Sequence, residues 1–136
     1  MPFVLDCSVA LTWVFPDEAT AALDALCDSL IEDYALTPEL WPLEMANALL
    51  AAQRRGRITA EELQGIVAKL RVLSIEVDHE TGEQAFTRIL ALAQKHNLTS
   101  YDAAYLELAL RQGLPLATLD RQLQAACQPE NVTVLP

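Results

Sequence analysis

The sequence predicts a single α/β domain built on a central, mostly parallel sheet of about five strands, and three observations lead there. Short apolar runs alternate with longer amphipathic ones, and a repeated strand–helix–strand order calls for parallel pairing through crossovers. Hydrophobic residues make up 52% of the 136, too many for a disordered chain and enough for one sizeable core. No internal repeat, low-complexity tract or linker interrupts residues 1–136, so one domain is expected throughout.

Each element has its own signal. "FVLD" (3–6) reads as a short buried strand, and "SVALTWVF" after it as a helix. Pro16 and Asp17 break and restart the chain. A second helix is expected over 17–33, with Ala19, Ala22, Leu23, Leu26 and Leu30 inward and acids outward. "YALTP" (34–38) is a strand ended by Pro38. The helix over 40–56 stops at Gly56. Thr59 with Glu62 three residues later is a capping box that opens a helix over 59–73. "SIEVD" (74–78) alternates as a strand does. The helix over 79–97 ends on basic residues and on Asn97, a residue suited to a left-handed cap. "SYDAAYLELAL" (100–110) gives another helix, closed by Gly113. A strand over 114–120, a short helix "RQLQAAC" and a last strand over 132–135 complete the order.

Composition excludes several classes. Three widely spaced cysteines, Cys7, Cys27 and Cys127, form no C-x-x-C pattern, which argues against a disulfide framework or a zinc site. No apolar run reaches the roughly 18 residues of a membrane helix, and the start lacks the basic region of a secretory signal. A cytoplasmic protein is expected. The net charge of −10 argues against a general electrostatic grip on nucleic acid. Only Arg54, Arg55 and Arg57 cluster, in "QRRGR", as candidates for backbone contacts to RNA.

The acids fall in a pattern. Sites on open α/β sheets form outside the carboxyl ends of the strands, near the point where strand order reverses. Asp6 ends the first predicted strand, and Asp120 lies just past the fourth. Asp102 starts the helix that leads into that fourth strand, and Glu44 lies one turn into the helix that leaves the second. Singly, Asp6 and Asp120 suit helix caps, and Asp102 suits a first helical turn. Glu44 fits a bland role worst, because its neighbours at helical spacing, Leu40, Trp41, Asn47 and Ala48, are mostly apolar. Four carboxylates at one edge repel unless a cation compensates. With only Arg121 among the basic residues in these motifs, and no His or Cys pattern, the set suits Mg²⁺ or Mn²⁺. Phosphoryl transfer and phosphodiester hydrolysis are the chief chemistries of such sites. Ser8, Asn47 and Thr118 stand where a polar side chain would orient those acids or a bound water.

On "VLDCSVAL", "LWPLEMANAL", "LTSYDAAYLELAL" and "LATLDRQL", in this order and at this length, the chain resembles the PIN domain, and within it the VapC-type toxins of bacterial toxin–antitoxin pairs. The resemblance covers essentially the whole chain. It implies a three-layer α/β/α fold and a metal-dependent ribonuclease in which Asp6, Glu44, Asp102 and Asp120 are the catalytic and metal-binding acids. It places Ser8, Asn47 and Thr118 in support of them. It also implies a homodimer held inactive by a cognate VapB-like antitoxin, whose C-terminal segment wraps the toxin. The hydrolysis it implies is an in-line attack on phosphorus by a metal-activated water. The sparse basic residues depart from what a nuclease usually carries, and point to recognition of RNA by shape rather than charge.

Two other readings compete. A haloacid-dehalogenase-type phosphatase also places an Asp after its first strand, but usually a second acid two residues later, where this chain has Ser8. A non-catalytic RNA- or protein-binding module on the same fold is the alternative of a different class. A degenerate module of that kind should lack at least one acid, and none is missing.

Overall fold

In the computed structural model, which describes residues 1–136, five strands form one all-parallel sheet in the order β3-β2-β1-β4-β5. The strands are β1 (Phe3–Leu5), β2 (Ala35–Thr37), β3 (Ile75–Val77), β4 (Leu116–Ala117) and β5 (Val134–Leu135). Each is two or three residues long. The chain builds outward from β1 through β2 to β3, then crosses back to lay β4 on the other side of β1. Strand order therefore reverses between β1 and β4. In register, Leu5 faces Ala117, and the next residue on, Asp6, donates its N–H to the Ala117 carbonyl at 3.0 Å. The two strands thus end side by side where a site is expected.

Helices cover the sheet: α1 (Cys7–Val14), α2 (Ala21–Ser29), α3 (Trp41–Arg54), α4 (Ala60–Val72), α5 (Thr81–Gln84), α6 (Leu90–His96), α7 (Ser100–Gln112) and α8 (Arg121–Cys127). The architecture is three-layer α/β. Buried helix α7 is central to it. Residues Ala103–Ala109 are all buried, and the helix packs against β1 and β4. Phe3, Val4 and Leu5 of β1 lie inside the largest core cluster, at 0–1% exposure, because a central parallel strand is covered on both faces. A second cluster (Val14, Phe15, Leu49, Ala52, Ile58) joins α1 to α3, and a third (Ile89, Ala93, Ala103, Ala104) joins α6 to α7.

Local chemistry sets the boundaries. The Thr59 hydroxyl accepts from the Glu62 N–H at 3.1 Å while Glu62 accepts from the Thr59 N–H at 3.0 Å, so the capping box forms. Asn97 takes the left-handed conformation (φ 53°) after α6, as Gly113 does (φ 64°) after α7. Two elements differ from expectation. The second helix does not start at 17. Pro16–Glu18 forms a separate tight turn, and α2 begins at Ala21 because Thr20 caps it, its hydroxyl accepting from the Leu23 N–H at 3.2 Å. The helix also ends at Ser29, where that hydroxyl bonds back to the Leu26 carbonyl at 2.6 Å. In the expected helix over 79–97, a wider π-type turn, Ala85–Ile89, separates α5 from α6. No helix is long and apolar enough to cross a membrane.

Candidate active site

Asp6 leaves β1 into the first turn of α1 and is 8% exposed, so its carboxylate needs partners. It sits at the cap position of α1 yet makes no side-chain capping bond. Instead its Oδ2 accepts from the Ser8 and Thr118 hydroxyls, each at 2.7 Å. Ser8 in turn accepts from the Leu119 N–H at 2.9 Å, and Thr118 from the Asp120 N–H at 3.1 Å. These bonds tie the ends of β1 and β4 into one polar junction. Asp120 caps α8, its Oδ1 accepting from the Leu123 N–H at 3.0 Å.

Glu44 comes from α3, and its Oε1 accepts from the Tyr105 hydroxyl of α7 at 2.6 Å. Burial pushes its carboxyl pKa up, and the charges of Asp6 and Asp102 push the same way, against the Tyr105 hydrogen bond. Asp102 stands in the first turn of α7, where Thr99 caps the helix by accepting the Asp102 N–H at 3.1 Å. Its pKa is also raised, by burial and then by the charges of Asp120 and Asp6, with the Thr99 hydroxyl acting in the opposite sense. The four acids therefore share one field at the carboxyl edge of the sheet. No Lys or Arg forms an ion pair with any of them.

As placed, no three His, Cys, Asp or Glu side chains converge tightly enough to grip an ion. The donor set nonetheless fits a hard divalent cation, because its side chains are carboxylates and hydroxyls. Cys7, the one thiol beside them, is pushed up to about 12 chiefly by burial and stays protonated at neutral pH.

The other sequence candidates separate. Ser8 and Thr118 bond Asp6 directly. Asn47 is exposed, and no hydrogen bond joins it to Glu44. Arg54 and Arg55 are exposed at the far end of α3, with Arg54 about 15 Å along the axis from Glu44. Arg57 is engaged elsewhere: it pairs with Asp17 at 3.0 Å and Glu18 at 3.1 Å and lies 3.9 Å over the Phe15 ring. None of the three is brought to the acids by a bond. Sequence reasoning missed Tyr105 and Thr99. Tyr105 lies on the apolar face of α7 and is fully buried. Its spacing, three residues after Asp102, was the available signal that its hydroxyl faces the acids. For Thr99 the signal was the cap pattern three residues ahead of Asp102.

Comparisons with known proteins agree with this fold. The PIN domain family model matches residues 3–128. Ribonuclease VapC3 of Pyrobaculum aerophilum is 34% identical over 127 residues, covering 90% of this chain and 92% of that protein. Among solved structures, PAE2754 of Pyrobaculum aerophilum superimposes with a TM-score of 0.67 at 24% identity, over 98% of this chain and 89% of that one. VapBC2 of Rickettsia felis, bound to a DNA fragment from its promoter, gives 0.69 at 11% identity, over 98% and 97%. FitAcB of Neisseria gonorrhoeae gives 0.66 at 17%, over 100% and 97%.

Proposed function

The chain belongs to the PIN domain family, and from that membership we infer that it is a ribonuclease, the toxin of a toxin–antitoxin pair, whose centre is Asp6, Glu44, Asp102 and Asp120. The observation that carries this reading is the uncompensated charge of those acids at the point where strand order reverses. Glu44 and Asp102, half-buried carboxylates whose proton affinity burial and the neighbouring acids raise, with no cation from the protein beside them, form a site poised to receive one. We assign Mg²⁺, with Mn²⁺ as a substitute, to Asp6 and Asp102 with Glu44 and Asp120 beside them. A divalent ion there supplies Lewis acidity, activating water and offsetting charge on the phosphoryl oxygens. The protein's part is to hold its acids in place. Ser8 and Thr118 fix the Asp6 carboxylate, Tyr105 fixes Glu44, and the starts of α7 and α8 fix Asp102 and Asp120.

The remaining assignments rest on surfaces. An apolar groove of about 280 Å³ runs between α3, α4 and edge strand β3, lined by Trp41, Met45, Leu49, Leu70 and Ile75. The Trp41 indole N–H is buried there without a partner. A VapB-like antitoxin segment is the occupant we assign to it, because an extended or helical peptide suits such a groove. Phe86 and Leu90, four residues apart and 90% and 44% exposed, suit the contact of a homodimer. We assign the protein to the cytoplasm, the location that suits an enzyme acting on RNA.

The test is cleavage of RNA by the purified chain with and without Mg²⁺. Cleavage is expected to need the ion, to stop on chelation and to fall by on the order of 10²–10³-fold in Asp6→Asn. Cleavage indifferent to chelator or to Asp6→Asn would sink the metal-nuclease reading. RNA binding without cleavage would favour a non-catalytic module instead.

A further inference from the structure

The chain holds few cations with which to grip RNA. Of its nine Lys and Arg, four are committed within the protein. Arg57 and Lys95 pair with acids, Arg111 is held by three acids, and Lys69 donates to the Trp13 carbonyl at 2.6 Å. Among the rest, only Arg121 adjoins the acid site in sequence. A nuclease with this charge distribution draws little of its grip on substrate from phosphate neutralisation by its own side chains.

The rim of the site offers an alternative. Three of the four acids are each preceded by an exposed apolar side chain: Leu43 before Glu44 at 77%, Tyr101 before Asp102 at 65%, and Leu119 before Asp120 at 41%. Single exposed apolar residues need no explanation, but three that each adjoin a site acid in sequence invite one. Tyr101 is the aromatic one, and helix geometry places it. It lies four residues before Tyr105, so both share one stripe of α7. The Tyr105 hydroxyl reaches Glu44 at 2.6 Å, so that stripe faces the α3 side of the acid cluster. Side chains on a helix lean toward its N-terminus, which carries Tyr101 out beyond Tyr105 to the mouth of the site. There it has solvent on its ring and makes no side-chain hydrogen bond.

We propose that Tyr101 is a stacking platform for a base of single-stranded RNA, with Leu43 and Leu119 extending the apolar rim, so that stacking rather than charge holds the strand across the acids. The proposal rests on the reading of those acids as a nuclease centre, and what it adds is the side chain that receives a splayed base of an unpaired strand. Bases inside a duplex cannot. Stacking is sequence-tolerant and releases no counterions, so it suits an acidic protein.

The experiment uses the full chain carrying Asp6→Asn, which slows turnover, in chelator to stop the remainder, and a mixed-sequence single-stranded RNA with 2-aminopurine at successive positions. Stacking on an aromatic ring quenches that base. Quenching is expected at one position or two adjacent ones, and not with the same strand in a duplex. Adding Tyr101→Leu is expected to abolish the quench and weaken binding roughly 5- to 150-fold, the range found when one stacked base loses its platform. Adding Tyr101→Phe should retain both. The slope of log affinity against log salt should be unchanged by Tyr101→Leu, since no phosphate contact is lost. Equal binding and quenching by the Leu and Phe variants would overturn the proposal. So would a Tyr101→Leu chain that binds RNA normally but changes its oligomeric state, since the rim would then be a protein contact. In otherwise wild-type protein, Tyr101→Leu is expected to raise KM with kcat largely kept. A wild-type chain that cleaves no RNA defeats the nuclease reading itself, whereas a cleaving chain with unaltered KM in Tyr101→Leu defeats the stacking alone.

Discussion

Two clusters of acids lie in this protein, and they are held in opposite ways. Around Arg111, near the end of α7, stand Asp78, Glu80 and Glu107. The guanidinium reaches Asp78 at 2.8 Å, Glu80 at 2.7 Å and Glu107 at 2.9 Å. The Arg111 hydrogen bond holds the Asp78 carboxyl below the usual carboxylate range, and Asp78 and Glu107 raise the Arg111 pKa in return. Around the ends of β1 and β4 stand Asp6, Glu44, Asp102 and Asp120, with no cation among them, and there Glu44 and Asp102 are pushed up. Both clusters draw on the same helix, α7. Gathering of carboxylates is therefore not what marks a site. The mark is that one gathering is neutralised from within the chain and the other is left for a ligand to neutralise.

The sharpest way to break the Arg111 cluster is Arg111→Met. Glu107 is 2% exposed and Asp78 9%, so the change strands two buried charges, and a broken buried pair costs about 3–5 kcal/mol. Glu80, more than half exposed, adds little. Urea unfolding should show that loss, with RNA cleavage per folded molecule nearly intact. A midpoint within error of wild type would mean that the cluster is not a clamp. At the other cluster the pattern inverts. Asp6→Asn keeps a carbonyl oxygen for the Ser8 and Thr118 hydroxyls while removing a charge. Its stability should hold or rise, and cleavage should fall by on the order of 10²–10³-fold, the scale of one electrostatic group in an active site.

Proton linkage gives a second contrast, of opposite sign in the two places. Glu44 and Asp102 have folded pKa values above their unfolded ones. Between those values the native state holds protons that the unfolded chain lacks, so stability falls as pH rises through that window. Glu44→Gln and Asp102→Asn remove that slope and should gain on wild type as pH rises above the ordinary carboxylate range. Asp78 has a folded pKa below its unfolded one, so its stabilisation is present at neutral pH and is lost as pH falls through the depressed value. Asp78→Asn should therefore cost most near pH 7 and progressively less in acid. Unfolding free energies at neutral and acid pH for the three variants check both slopes. Slopes of the same sign would erase the distinction between the clusters.

How far the sequence reveals this depends on the range of each interaction. Capping at Thr59, the left-handed Asn97 and the β3 alternation are local, and they are legible within a few residues. The gathering of Asp6, Glu44, Asp102 and Asp120 is long-range, yet it is legible because parallel crossovers force strand ends to one edge. Arg111 with Asp78 is long-range without such a rule. Nothing in the periodicity says that the residue after β3 meets the last turn of α7. Tyr105 fell between the two cases, since its burial is a helix-face property and its hydroxyl contact with Glu44 is tertiary. The α2 boundary was missed for a local reason: Pro16 starts a tight turn, and Thr20, not Asp17, satisfies the first N–H groups of the helix.

The smallest expected effect separates the clusters most directly. An ion that binds the folded chain and not the unfolded one stabilises it by mass action, by about 1.4 kcal/mol at ten times its dissociation constant. For a domain of this size that is roughly 5 °C in Tm. Addition of Mg²⁺ to wild type should produce such a rise, because the ion removes repulsion that the fold otherwise carries among Asp6, Glu44, Asp102 and Asp120. Asp102→Asn should lose the rise while keeping a melting point at or above that of the ion-free wild type. Asp78→Asn should lower the melting point but keep the Mg²⁺ increment, since Arg111 leaves that cluster no need of a second cation. A Mg²⁺ increment that survives Asp102→Asn and vanishes in Asp78→Asn would put the ion at the neutralised cluster and reverse the comparison.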